Sequence, residues 1–431
     1  MMLKKLILLG LLAIVSGEQF REIFRWNTID ISWPSEEIRT RVLDRNEYIP
    51  ENNPIAGIKF WRKRMFLTLP RWKHGVPITL GVTPGEPVTR NWSPKIEAYP
   101  TWDMQTVGDC NAFQFVQSME IDPMGRMWIL DTGRTATMTT EMQARCPPRL
   151  VIIDLEKDGA VLRSFPFPQD VAPHDSAYLN DIVLDNTDGG LAYITDNGER
   201  DPGIIVYSLR ENKSWKIRHD SMKPQAEAVG FAVSRTWIRT PISVDGIALS
   251  PVDSPHRYVY YSPLSSFHLY AVPTSVLKNN TRDIDPFVRD IGRKSSQTDG
   301  MMMSATGVLY FGLLADDAVA MWDTKLQSSF ITGQRIISRD HVQMQWPDTF
   351  AFDEDGNLWC VTNSLQNFIN NKVDTSLANY RVIRIATGTK SYQYHADGSI
   401  PDGPIITAGA SDHVALLLAT ILGAILTLTL K

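Results

Sequence analysis

Acidic residues recur at one place in this chain, each just ahead of an apolar run: Asn180-Asp181, Asp245, Asp299 and Asp348. Carboxylate and amide oxygens converging from such positions would suit a hard cation such as Ca²⁺, with Asn180, Asp181 and Asp245 as ligands. The same residue types also cap turns by accepting hydrogen bonds from nearby backbone N–H groups, and their repetition favours that plainer role. No other reactive constellation stands out. The chain carries no G-x-S-x-G elbow and no H-E-x-x-H helix. Its eight histidines, His174 and His268 among them, are scattered without paired metal-ligand spacing and read as loop or packing residues.

The elements that must position these acids show up as a repeat. A short apolar run, a polar turn usually with glycine, and an aromatic-containing run follow one another five times. The copies are Met119–Asp122 with Met127–Asp131, Asp181–Leu184 with Leu191–Thr195, and Asp245–Leu249 with Tyr258–Tyr261. Asp299 with Val308–Phe311 and Asp348–Phe352 with Leu358–Val361 complete the series. The units begin at residues 119, 181, 245, 299 and 348, which gives spacings of 62, 64, 54 and 49. Repeats of that length, each holding several short strands, fit propeller blades with long loops. Ile58–Leu80 supplies a sixth, degenerate unit, and Arg381–Ile385 is placed to close the ring with N-terminal strands. The expectation is an all-β, six-bladed propeller in which equivalent acids lie at equivalent radii near one channel mouth. Trp128, Tyr193, Tyr260, Tyr310 and Trp359 recur at one strand position, so they are expected to pack between blades.

Composition narrows the partners. The 431 residues are 43% hydrophobic, 10% aromatic and 21% charged, a globular balance. The formal charge is −5, and without a basic surplus nucleic-acid binding is excluded as the leading reading. Lys4 and Lys5 followed by the apolar run Leu6–Val15 form a secretory signal over residues 1–17. The body is then one domain, residues 18–410. Residues 411–431 form a hydrophobic tail whose uncharged run Val414–Leu430 suits a lipid-anchor signal slightly better than a spanning helix. The body is therefore expected outside the cell, secreted or held at the outer surface. Sequons at Asn91, Asn212 and Asn279 agree with export as glycosylation acceptors. In an oxidising compartment a bridge between Cys110 and Cys146 would staple one local excursion, and Cys360, in an apolar strand core, reads as a buried free thiol.

Whole segments then become familiar. Trp33-Pro34-Ser35-Glu36, Tyr48–Asn53, Pro70-Arg71-Trp72, Gly75–Leu80, Gly108-Asp109-Cys110, Met119–Asp122, Trp128–Gly133, Tyr261–Ser266 and Leu358-Trp359 resemble, in order, the insect yellow and major royal jelly protein family. The resemblance runs from about residue 20 to 385. It implies a six-bladed propeller and a Cys110–Cys146 disulfide. It does not fix the chemistry, because the family includes pigmentation and cuticle factors, dopachrome-converting enzymes, nutritive proteins and salivary amine binders.

Three expectations follow. The first is a yellow-type propeller in catecholamine-linked pigmentation or cuticle maturation, with dopachrome isomerisation as its activity. The second is a non-enzymatic binder of small aromatic amines. Similarity to the salivary branch places Asn363 and Thr349 on that ligand, although Leu365 stands where that branch has an aromatic and only Phe368 could replace it. The third, by likeness to lactonase-type propellers, is a Ca²⁺-dependent hydrolase using Asn180, Asp181 and Asp245.

Overall fold

The structure, a computed structural model, describes residues 19–88, 92–327 and 329–406. The signal segment 1–17, the tail 411–431 and the acceptor Asn91 lie outside the described residues.

Six four-stranded antiparallel sheets form the blades of a propeller. Blade 1 runs from Gly57–Trp61 to Glu97–Ala98, and blade 2 from Val116–Ile121 to Ala160–Pro166. Blade 3 spans Leu179–Asp185 to Lys213–Ile217, blade 4 Val244–Leu249 to Arg289–Arg293, and blade 5 Met301–Met303 to Arg335–Arg339. Blade 6 combines Pro347–Phe352, Asn357–Thr362 and Tyr380–Ala386 with the N-terminal strand Arg21–Trp26 as its outer edge. The segment Arg381–Ile385 thus closes the ring against the chain start, as the repeat implied. Each innermost strand lies against the innermost strand of the next blade all the way round. Closure leaves few free strand edges.

The repeated template has a local cause. In blade 2, Asp122 Oδ1 accepts from Met124 N (3.0 Å) and Arg126 N (3.1 Å), and its Oδ2 takes Arg126 Nε (2.6 Å) and Trp128 Nε1 (3.1 Å). Blade 6 repeats the device: Asp353 accepts from Asp355 N, Asn357 N, Asn357 Nδ2 and Trp359 Nε1. Gly125 and Gly356, both at positive φ, turn the chain between aspartate and aromatic, where a side chain would be strained. The hairpin therefore fixes the aromatic, which packs onto the neighbouring blade. Trp128 meets Tyr207 at 6.3 Å, Tyr260 meets Trp322 at 6.2 Å, Tyr310 meets Phe352 at 6.1 Å, and Trp359 stacks on Phe60 at 4.6 Å. Trp128, Tyr193, Tyr260, Tyr310 and Trp359 are buried as inter-blade core.

Cys110 and Cys146 are bridged with Cα atoms 5.4 Å apart, and Cys360 is a buried free thiol. Asn212 and Asn279 are exposed, at a hairpin turn and at a helix end.

The two hairpin aspartates make a comparative prediction. Asp122→Ala strands the buried Arg126 guanidinium and should cost about 3–5 kcal/mol. Asp353→Ala strands only neutral donors and should cost about 1–3 kcal/mol. Urea denaturation of both variants checks this, and equal losses would contradict the assigned network.

Candidate active site in the propeller channel

One charged side chain from the inner part of each blade points into the axis: Lys59, Glu120, Asp181, Asp245, Asp299 and Asp348, in blade order. In blades 3, 4 and 6 the inner strand is irregular where the acid arises, and in blade 2 just before it. The pairing of the inner strand shifts between Val116 and Met119, Leu179 and Ile182, Val244 and Ile247, and Pro347 and Thr349. Such irregularities re-aim side chains at the rims of closed sheets. Two glycines complete the approach. A Cβ on Gly246 would lie 2.1 Å from Asp299 O, and one on Gly300 2.1 Å from Asp348 O. The residue after the acid must therefore be glycine in blades 4 and 5 for the inner strands to meet.

The charges form two layers. In the lower one, Lys59 Nζ lies 3.4 Å from Glu120 Oε2 and donates to Phe350 O at 3.1 Å. Asp181 Oδ1 accepts from Ser118 Oγ and from Ile182 N, both at 2.9 Å. These side chains and Thr349 line a narrow cavity whose floor is Tyr392. The floor belongs to a strap after blade 6, in which Tyr392 Oη accepts from Leu184 N (2.8 Å) and Gln393 Nε2 donates to Ile121 O (2.9 Å).

The upper layer is an acid cluster. Asp245 accepts from Asn180 Nδ2 (2.5 Å) and Asn197 Nδ2 (3.2 Å), and the Asp299 carboxyl neighbours it. Asp299 Oδ2 accepts from Trp346 Nε1 at 2.6 Å. Asp348 Oδ2 accepts from Asn363 Nδ2 at 2.5 Å. Burial raises all five acids above the usual carboxylate range, and neighbouring acids push Asp245, Asp299 and Asp348 further up. Among the described residues, one buried ammonium, Lys59, faces them. Above the cluster, Trp72, Phe115, Phe231, Leu264, Trp346 and Phe368 form one apolar cap. The hairpin Phe231–Val233/Thr236–Ile238 and the helix Leu365–Ile369 carry part of that cap.

The four blade-start acids therefore converge in the channel rather than serving as turn caps. Capping falls to a second set, Asp122, Asp185 and Asp353, which the sequence reading had not separated from the first. The Ca²⁺ arrangement does not fit: Asn180 presents an N–H donor to Asp245, and Asp181 is turned toward Ser118. Among the described residues, no three His, Cys, Asp or Glu side chains are grouped to hold a metal ion.

Asn363 spends its amide on the protein. Its Nδ2 also donates to Ile55 O (2.9 Å) and its Oδ1 accepts from Leu365 N (3.2 Å), a turn cap leading into the helix. Thr349 lines the lower cavity, and Asn363 does not. Phe368 joins the cap, with Lys73 Nζ 3.9 Å from its ring centre.

The sequence reading missed Lys59, Glu120 and Trp346. Lone charges inside the apolar stretches Ile58-Lys59-Phe60 and Met119-Glu120-Ile121 were the available signal for the first two. Lys294 with Ser262 is a further buried pair (Nζ–Oγ 2.5 Å), its ammonium pushed down to about 7 by burial, but neither residue lines the channel cavity.

The fold and this sealed acidic axis define a six-bladed propeller with a buried carboxyl cluster. Residues 114–391 match the sequence profile of the major royal jelly protein family. Protein yellow of Drosophila yakuba is 30% identical over 394 residues, covering 87% of this chain and 71% of that one. Protein yellow of Drosophila subobscura is 31% identical over the same length, covering 87% and 68%. The chain belongs to the yellow and major royal jelly protein family. Among solved structures, a luciferin-regenerating enzyme aligns over 83% of this chain and 99% of its own at 13% identity and a TM-score of 0.46. Regucalcin from Agrobacterium tumefaciens, described as a calcium-binding protein, aligns over 83% and 95% at 13% and 0.47. Among the described residues, no helix is long and apolar enough to cross a membrane.

The raised acids set the sign of a pH dependence. Between the ordinary carboxylate value of about 4 and the raised native values, the unfolded chain releases protons that the folded chain keeps. The stability these acids lend is complete below about pH 4 and is lost as pH climbs through the native values. Asp299→Asn keeps the acceptor for Trp346 and offers a donor to Asp245, so the variant should gain stability over wild type as pH rises from 5 to 8. Urea unfolding at both pH values checks this, and parallel profiles would contradict shared protons in the cluster.

Proposed function

We propose that this chain is an exported yellow-type propeller that acts on catechol-derived amines in pigmentation or cuticle maturation, with dopachrome isomerisation as its activity. The observation that carries the reading is the cluster of neighbouring Asp245, Asp299 and Asp348 carboxyls on the channel axis beneath the aromatic cap. The isomerisation moves a carbon-bound proton to a quinone oxygen while electrons redistribute within the molecule, so no outside oxidant or reductant is consumed. A pair that holds one proton between two carboxyls offers both partners for that transfer: the ionised oxygen removes the proton and the protonated one delivers its own. Aromatic walls that exclude water strengthen each electrostatic contact. The same excess of buried acid over the lone Lys59 favours a cationic or electron-poor aromatic guest, which keeps amine binding without turnover as the second reading.

The test adds the protein, purified from a secreting host, to dopachrome at substoichiometric amounts and follows loss of colour against a heat-denatured control. Multiple turnovers are expected, and Asp245→Asn should lower kcat on the order of 10²–10⁴-fold, the usual contribution of a positioned acid or base. No acceleration by wild type, with saturable amine binding, would overturn the isomerase in favour of the second reading.

A further inference from the structure

A second cavity, of about 640 Å³, lies outside the channel, between the helix Glu36–Asp44 and loops of blades 1 and 2. Ser35 caps that helix, its Oγ accepting from Ile38 N at 3.2 Å. Ile38 and Val42, one turn apart on the helix, both line the cavity. The two feet of the segment are tied to the body. Trp33 stacks on Trp102 at 5.5 Å, and Ile49 N donates to Gly75 O at 3.0 Å. Between the feet no helix residue is buried, and among the described residues no hydrogen bond joins the helix to the blades. The helix therefore roofs a space instead of packing down on Val76, Pro77 and Trp102 across from it. The volume suits a small organic ligand.

The charges around the space set the sign of that ligand. Arg41, Arg71 and Lys73 line it, and among the described residues none of the three has a carboxylate within 4 Å. Lys73 Nζ bonds the neutral Phe368 O and Asn371 Oδ1, both at 2.8 Å, and burial lowers its pKa. Arg71 spends its guanidinium on five backbone carbonyls, and Asp131, whose charge acts on it, is held by Arg149 at 3.1 Å. Arg41, on the roof, keeps its guanidinium free among the described residues. The one acid of the lining, Glu47, lies 3.9 Å from Arg45, and His74 has its own partner in Glu141 at 2.9 Å. Glu51, which acts on Lys73, lies outside the lining. This local surplus of cations, in a chain whose formal charge is −5, concentrates anions at the cavity. Apolar walls beside a free guanidinium select an anion with an apolar body and a carboxylate head.

We propose that this cavity binds an amphipathic carboxylate, with its head at Arg41 and Lys73 and its apolar body against Ile38, Val42, Val76 and Trp102. The site is separate from the channel acids and does not depend on what they do.

Calorimetric titration of the full protein with octanoate and with 1-octanol tests this, because the two share a chain length and differ in charge. Octanoate should bind at one site per chain, about tenfold or more tightly than octanol, the scale of one hydrogen bond to a charged group. Arg41→Glu, on the exposed helix surface, should remove that preference while leaving octanol affinity within about twofold. Lys73→Gln is the second variant, and it should cut octanoate affinity several-fold with octanol unchanged. Failure of octanoate to bind, octanol affinity equal to or above it, or a preference that survives both substitutions would overturn the site. None of these outcomes bears on dopachrome turnover, so the channel reading stands or falls separately.

Discussion

Like charges confined to a narrow axis cannot all ionise, and the rest of this propeller is arranged around that constraint. Six blades each bring one charged side chain inward, five of them acidic. Ordinary carboxylates at such separations in a low-dielectric interior would repel strongly. Retained protons and neutral donors relieve the repulsion: Asn180, Asn197 and Asn363 amides and the Trp346 indole all point N–H groups at the acids. The amides and indole do not titrate, so the channel stays fixed in geometry while its proton count varies with pH.

Closure of the ring and closure of the channel are linked physically. The inner strands meet because glycine follows the acid in blades 4 and 5. That approach leaves too little room for a wide water-filled bore, and the two ends are then shut separately. The strap through Tyr392 and Gln393 ties blades 2 and 3 from below. Above, the cap is built from the hairpin Phe231–Val233/Thr236–Ile238 and from the helix that Asn363 starts. Entry from above therefore requires the cap to move.

Much of the architecture was legible because one template recurs with a physical reason at each step: aspartate, glycine, then an aromatic whose indole or ring the turn positions. The degenerate first blade was also visible, through Lys59-Phe60-Trp61 and Met65–Thr68, and so was the closing strand around Arg381–Ile385. The site was half legible. Acids at blade starts could be found by spacing, but spacing alone could not separate them from the turn-capping Asp122, Asp185 and Asp353, which lie only a few residues further along the same strands. The strand irregularity that sends one set inward depends on pairing register, which a single sequence does not display. Asn363 was drawn to the ligand by resemblance, and its bonds to Ile55, Asp348 and Leu365 show how the same amide can be spent on the fold.

Carboxyl groups on the channel axis hold their protons to higher pH than ordinary carboxylates. Infrared spectroscopy of protein labelled with ¹³C at its aspartate carboxyls, followed across a pH series, measures this directly. A protonated-carboxyl carbonyl band that shifts with the label should persist after the exposed aspartates have ionised, and it should shrink when Asp299 or Asp348 is replaced by asparagine. A titration in which every aspartate carboxyl ionises together over the ordinary carboxylate range would contradict it.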